Sequence, residues 1–100
     1  MQIVTVGPSY IVEPAVFPFV YILVNLPSPQ GLTIILPTPS QLAENQVFRV
    51  KDVGGTATAN NIIVVCGDLS VTFDGAGQYA MNKSYQASDM FFNGTNFSVL

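Results

Sequence analysis

Three features of this sequence predict an all-β fold. Val, Ile, Thr, Phe and Tyr dominate short segments, apolar residues do not recur at helical spacing, and seven prolines with eight glycines interrupt the chain too often for a helix to run. Short strands joined by tight connectors predict a small antiparallel β-sandwich or prism-like module.

Candidate strands lie at residues 2–6, 20–25, 32–36, 47–53, 61–66, 70–73, 79–81, 90–92 and 96–100. Their connectors carry turn chemistry: Gly7-Pro8-Ser9, the Pro27 to Gly31 stretch, Gly54-Gly55, Gly67-Asp68, Asp74-Gly75 and Asn93-Gly94. The last is the clearest hairpin signal, because a type I′ turn needs positive φ at both central residues and Asn-Gly supplies it. One helical turn fits residues 39–44, where Ser40 can cap.

Strand patterning separates two classes. In residues 47–53, alternation sets Phe48, Val50 and Asp52 against Arg49 and Lys51, the signature of a half-exposed strand. Ile22-Leu23-Val24, Ile34-Ile35-Leu36 and the run Ile62 to Cys66 do not alternate, so both faces of those strands are expected to be covered. With no helices to cover a parallel sheet, packing between identical subunits is the expected cover.

Composition points the same way. One hundred residues make one domain, and charged residues are only 9% of them against about 25% in an average soluble protein. Mean hydropathy is +0.44. Apolar side chains must therefore reach the monomer surface and need a partner. A membrane helix is not expected, since the most apolar stretch, residues 14–26, is broken by Pro18 and is too short. No basic n-region precedes it, so a cytoplasmic site of synthesis is expected. A net charge of −3, with Arg49, Lys51 and Lys83 as the only basic residues, argues against nucleic acid.

Catalytic chemistry is not expected. The chain has no histidine, which removes Ser-His and Cys-His nucleophile systems and histidine zinc sites. Asp68 and Asp74 flank a candidate strand and are the one carboxylate pair worth testing for hydrolysis, but both stand in turn sequences that explain them. Neither cofactor nor metal is expected: the Asp residues form no calcium loop, and Gly54-Gly55 and Gly75-Ala76-Gly77 lack the Lys and helix of a phosphate loop. Cys66, in an apolar run, reads as a small buried hydrophobe. Tyr79, Tyr85, Phe91, Phe92 and Phe97 would stack on a sugar if exposed and form core if not.

Residues 32–100 resemble a small β module of tailed bacterial viruses, found in tail-fibre, tailspike and head-decoration proteins. The likeness runs through Leu32-Thr33-Ile34-Ile35-Leu36-Pro37, Val47-Phe48-Arg49-Val50-Lys51-Asp52 and Gly55-Thr56-Ala57-Thr58-Ala59-Asn60-Asn61-Ile62. It continues through Phe73-Asp74-Gly75-Ala76, Asn82-Lys83-Ser84-Tyr85 and Met90-Phe91-Phe92-Asn93-Gly94-Thr95. Phe97 stands where such modules usually carry Trp, and Lys51-Asp52 reads as a structural salt link or turn anchor. The resemblance implies an intertwined homotrimer. Residues 1–30, rich in proline and outside the likeness, are expected to form an extended arm suited to strand addition, and residues 31–100 the trimeric module.

The function this implies is that of a structural virion protein made in the host cytoplasm: a capsid decoration or cement protein bound to the major capsid protein over capsomer junctions. A receptor-binding or trimerisation tip of a tail fibre or tailspike is the alternative. The residues expected at subunit or capsid contacts are Ile11, Val12, Val16, Phe17, Phe19, Tyr21, Ile35, Val64, Phe92 and Phe97.

Overall fold

A computed structural model describes residues 1–14, 18–26 and 30–100. Nine strands form among them: β1 (Gln2–Val4), β2 (Ser9–Ile11), β3 (Phe19–Val24), β4 (Leu32–Leu36), β5 (Val47–Asp52), β6 (Ile62–Cys66), β7 (Tyr79–Met81), β8 (Ala87–Phe92) and β9 (Phe97–Val99). The helical turn is a single 3-10 turn, Pro39–Gln41, and Thr38 rather than Ser40 stands at its N-cap. There the Thr38 N–H donates to Gln41 Oε1 at 3.3 Å.

The all-β expectation holds, but the sheets are mixed rather than antiparallel. The first sheet has the order β1-β3-β5-β8-β9 and the second β2-β4-β6-β7. β1, β3 and β5 run parallel to one another, as do β2, β4 and β6, while β7, β8 and β9 join antiparallel. From β1 to β6 each strand is followed by one in the opposite sheet. Three windings result, each placing one strand in each sheet. A parallel sheet normally needs a helix to return the chain to the same side; here the return path is a strand of the facing sheet. Strands on either side of residue 30 share both sheets, since β2 pairs with β4 and β3 with β5.

Both sheets share one core. Val20, Ile22 and Val24 of β3 face it beside Phe48 and Val50 of β5, and Leu32, Ile34 and Leu36 of β4 meet it beside Ile62, Val64 and Cys66 of β6. Burial alternates along these strands although their hydrophobicity does not. The inward row is sealed within the chain, and Leu23, Thr33, Ile35, Ile63 and Val65 of the outward rows stay half-buried.

Two expected local features change. Residues 70–73 form no strand; Phe73 makes isolated bridges to Ala76 and Phe97. The hairpin between β8 and β9 is present, but its loop has four residues, because Phe92 pairs with Phe97. Only Gly94 takes positive φ there, and Asn93 Oδ1 accepts the N–H groups of Thr95 and Asn96, each at 2.9 Å. An Asn side chain that folds onto the backbone favours this longer loop over a type I′ turn.

Candidate interaction surface

Four of the expected contact residues belong to the core of the single chain: Val12, Val64, Phe92 and Phe97 are buried. Their apolarity serves the packing of the two sheets on each other, so they offer no surface to a partner. Val16 and Phe17 lie outside the described residues. The remaining four are on the surface, on two different faces. Ile11 and Ile35 are register partners on the outer face of the second sheet, continued by Val65 opposite Ile35. Phe19 and Tyr21 are on the outer face of the first.

The Phe19 and Tyr21 face is the more structured of the two. Both side chains point outward from β3 and remain 44% and 43% exposed. Their ring centroids are 5.6 Å apart at an interplanar angle of 32°. Register places Arg49 of β5 beside Tyr21 and Asp89 of β8 beside Arg49. The guanidinium carbon lies 5.9 Å from each ring centroid, within cation-π range. Arg49 Nε and Nη2 donate to Asp89 Oδ1 and Oδ2 at 2.6 and 2.9 Å, a two-pronged ion pair. The result is a patch of two rings and one internally neutralised charge pair. Phe19 and Tyr21 are legible from the sequence by their apolarity; alternation sets Arg49 outward, but its place over the two rings comes from parallel register.

The Arg49 hydrogen bonds hold the Asp89 carboxyl below its usual range, against the opposing effect of partial burial. A depressed carboxylate contributes stability that is full above its unfolded value of about 3.9 and is lost as pH falls through the lower folded value. Asp89→Asn is therefore expected to flatten the stability curve below about pH 4, read from denaturant midpoints between about pH 6 and about pH 2. The change is modest, because the Arg49 side chain is 43% exposed and solvent screens the pair. Asp68, also held low by the Ser70 hydroxyl and N–H, keeps its own contribution in that variant.

The other chemical candidates have structural employment. Asp68 accepts from Ser70 within its own turn, and Asp74 Oδ1 accepts the Val99 N–H at 3.0 Å. Burial pushes the Cys66 thiol up, and its Sγ donates to Pro37 O at 3.3 Å. Among the described residues no cavity forms and no group of three potential metal ligands gathers. Of the aromatic set considered for sugar stacking, Phe92 and Phe97 are core and Phe91 is half-buried. Tyr79 is half-buried, with Ser88 Oγ at 3.1 Å and Gln86 Nε2 donating to its hydroxyl at 2.9 Å. Tyr85 alone is exposed. They do not form a common platform.

Comparison with known protein families and with curated proteins returns no match to this chain.

Lys51 and Asp52, adjacent on β5, divide their roles. Asp52 turns fully inward and Lys51 outward, where its ammonium donates to the Tyr85 carbonyl. Asp52 receives the N–H groups of Gly55, Ala57 and Tyr85 at 3.1, 3.0 and 3.1 Å. It is a turn anchor and not a salt link. Two loops distant in sequence meet on one carboxylate.

Proposed function

We propose that this chain is a non-catalytic structural module of a tailed bacterial virus, a head decoration protein that works as a homotrimer bound to the major capsid protein. The observation that carries the reading is the pair of apolar outer sheet faces, above all the exposed Phe19 and Tyr21 beside a charge pair that neutralises itself. A face of that composition costs little to desolvate and gains roughly 1 kcal/mol for each half-exposed ring a partner covers. Threefold symmetry and the viral shell are supported by the resemblance in residues 32–100.

The test combines solution mass with binding to capsids that lack the protein. The wild-type chain is expected to sediment with a copy number that is a multiple of three, and to bind. Phe19→Ser with Tyr21→Ser, both outward-facing, is expected to keep the melting temperature within a few degrees and to weaken capsid binding at least tenfold. A stable monomer that ignores capsids overturns the reading. Binding to host cells or purified glycan, without capsid binding, replaces it with the fibre-tip alternative.

A further inference from the structure

The two ends of the first sheet are finished differently. At β9 the first sheet is sealed by the loop that precedes β7: the Phe97 N–H donates to Thr72 O at 2.9 Å, the Asp74 N–H to Phe97 O at 3.0 Å, and the Val99 N–H to Asp74 Oδ1 at 3.0 Å. At the other end, β1 and β2 are the terminal strands of the two sheets and together form the first winding.

Their outward backbone groups can be assigned from the pairing. The Asn25 N–H donates to Val4 O, so Val4 faces β3 and the intervening Ile3 turns its N–H and C=O away from the sheet. In the second sheet the Thr33 N–H donates to Pro8 O and the Val12 N–H to Ile35 O, which leaves Ser9 and Ile11 pointing outward. Among the described residues no hydrogen bond reaches the outward backbone groups of these three residues. Ile3 and Ile11 are also 56% and 71% exposed, and Met1 and Val6 beside them are exposed as well. Edge strands are usually guarded by lysine, a bulge or an inward charge. Here β1 and β2 contain no charged side chain, and among the described residues they are guarded by their shortness and by Glu13, which follows β2 and bonds Gln2 through its backbone.

We propose that the open edges of β1 and β2 are a binding surface for a second copy of this chain, paired antiparallel about a two-fold axis so that both sheets continue across the contact. The edge is complementary to itself. Ile3 of each copy presents one donor and one acceptor, and two such residues opposed across the axis exchange both bonds. In the second sheet, Ser9 and Ile11 of one copy meet Ile11 and Ser9 of the other in the same way. No charged side chain is buried, and an isologous contact closes without polymerising. This contact is separate from the Phe19 and Tyr21 face and does not depend on the viral reading.

The experiment measures the mass of the full chain by sedimentation, together with amide exchange at Ile3, Ser9 and Ile11. The wild-type chain is expected to contain an even number of copies, two, or six if threefold contacts also form, with those three amides slowed at least 100-fold relative to an open strand. Ile3→Lys with Ile11→Lys, both outward-facing, is expected to halve the mass while the circular dichroism spectrum is unchanged. An odd number of copies, a monomer, an unchanged mass in the variant, or fast exchange at the three amides in the wild-type assembly overturns the proposal. Because exchange is read on the wild-type chain, the result stands even if the double variant does not fold. A trimer that binds capsids with those amides open rejects this contact and leaves the decoration reading intact; a two-fold dimer that ignores capsids does the reverse.

Discussion

Replacing Phe97 by alanine is expected to destabilise the chain by about 3–5 kcal/mol, the range for removing a fully buried phenylalanine. Phe97 is buried at the meeting point of three other rings. It stacks on Phe73 at 5.0 Å between centroids and 6° between planes, lies 5.3 Å from Phe92, and meets Phe48 edge-on at 6.2 Å. Three of these rings are on strands of the first sheet and Phe73 is on the loop that seals β9, so the cluster fastens loop to sheet. Alanine leaves a void that rigid strands cannot collapse into. For a domain of this size each kcal/mol lowers the melting temperature by roughly 4–8 °C, so a fall of more than about 12 °C is expected. Phe97→Leu, which refills part of the void, is expected to lose about half as much. Thermal melts of the three proteins check this order; an alanine variant that melts within about 3 °C of wild type removes the cluster from its central role.

Asp52→Ala is expected to have the second-largest effect, again on the order of 3–5 kcal/mol, though for a different reason. The side chain is small, so little packing is lost. What is lost is the acceptor for three backbone N–H groups, from Gly55, Ala57 and Tyr85, each of which would need water where the carboxylate now excludes it. Gly55 and Tyr85 both have positive φ, at 74° and 64°, and such backbone persists only where its surroundings hold it in place. Asp52→Asn keeps one acceptor oxygen and turns an amide donor towards the remaining N–H, so its cost is expected to be intermediate, roughly 1–3 kcal/mol. Chemical denaturation gives the ranking, and faster amide exchange at Ala57 and Tyr85 in both variants locates it. Equal stability of Asp52→Ala and wild type would mean that the loops hold without the carboxylate.

Where the strands lie was largely legible, because β-branched and aromatic runs bounded by Pro, Gly and Asn are a local signal. Eight of the nine candidate segments overlap observed strands; the exception, residues 70–73, has strand-like Val71 and Phe73 held instead in turns and isolated bridges. The observed β2 was missed altogether, since Ser9-Tyr10-Ile11 sits between prolines and looks like part of an arm. Its strand character comes from pairing with β4. Parallel pairing was not legible at all. A turn sequence ends a strand equally well whether the chain then doubles back beside it or crosses to the facing sheet.

Which apolar side chains reach the surface was half legible. Apolarity marked Phe19, Tyr21, Ile11 and Ile35, but it marked Val12, Val64, Phe92 and Phe97 equally, because the sequence does not say which row of a non-alternating strand looks inward. Asp52 illustrates the converse. Alternation placed it on the face of Phe48 and Val50, while its role needed the loops that fold over it.

By itself, then, the sequence determined the β class, most strand positions, the inward and outward rows of β5, and the buried character of Cys66. All of these follow from side-chain chemistry within a few residues. Tertiary structure alone decided the mixed sheets, the placing of Arg49 between two rings and Asp89, the convergence of two loops on Asp52, and the contrast between a sealed and an open sheet edge. Each of those depends on which strands become neighbours, and in this chain neighbours in the sheet are separated by a strand that belongs to the other one.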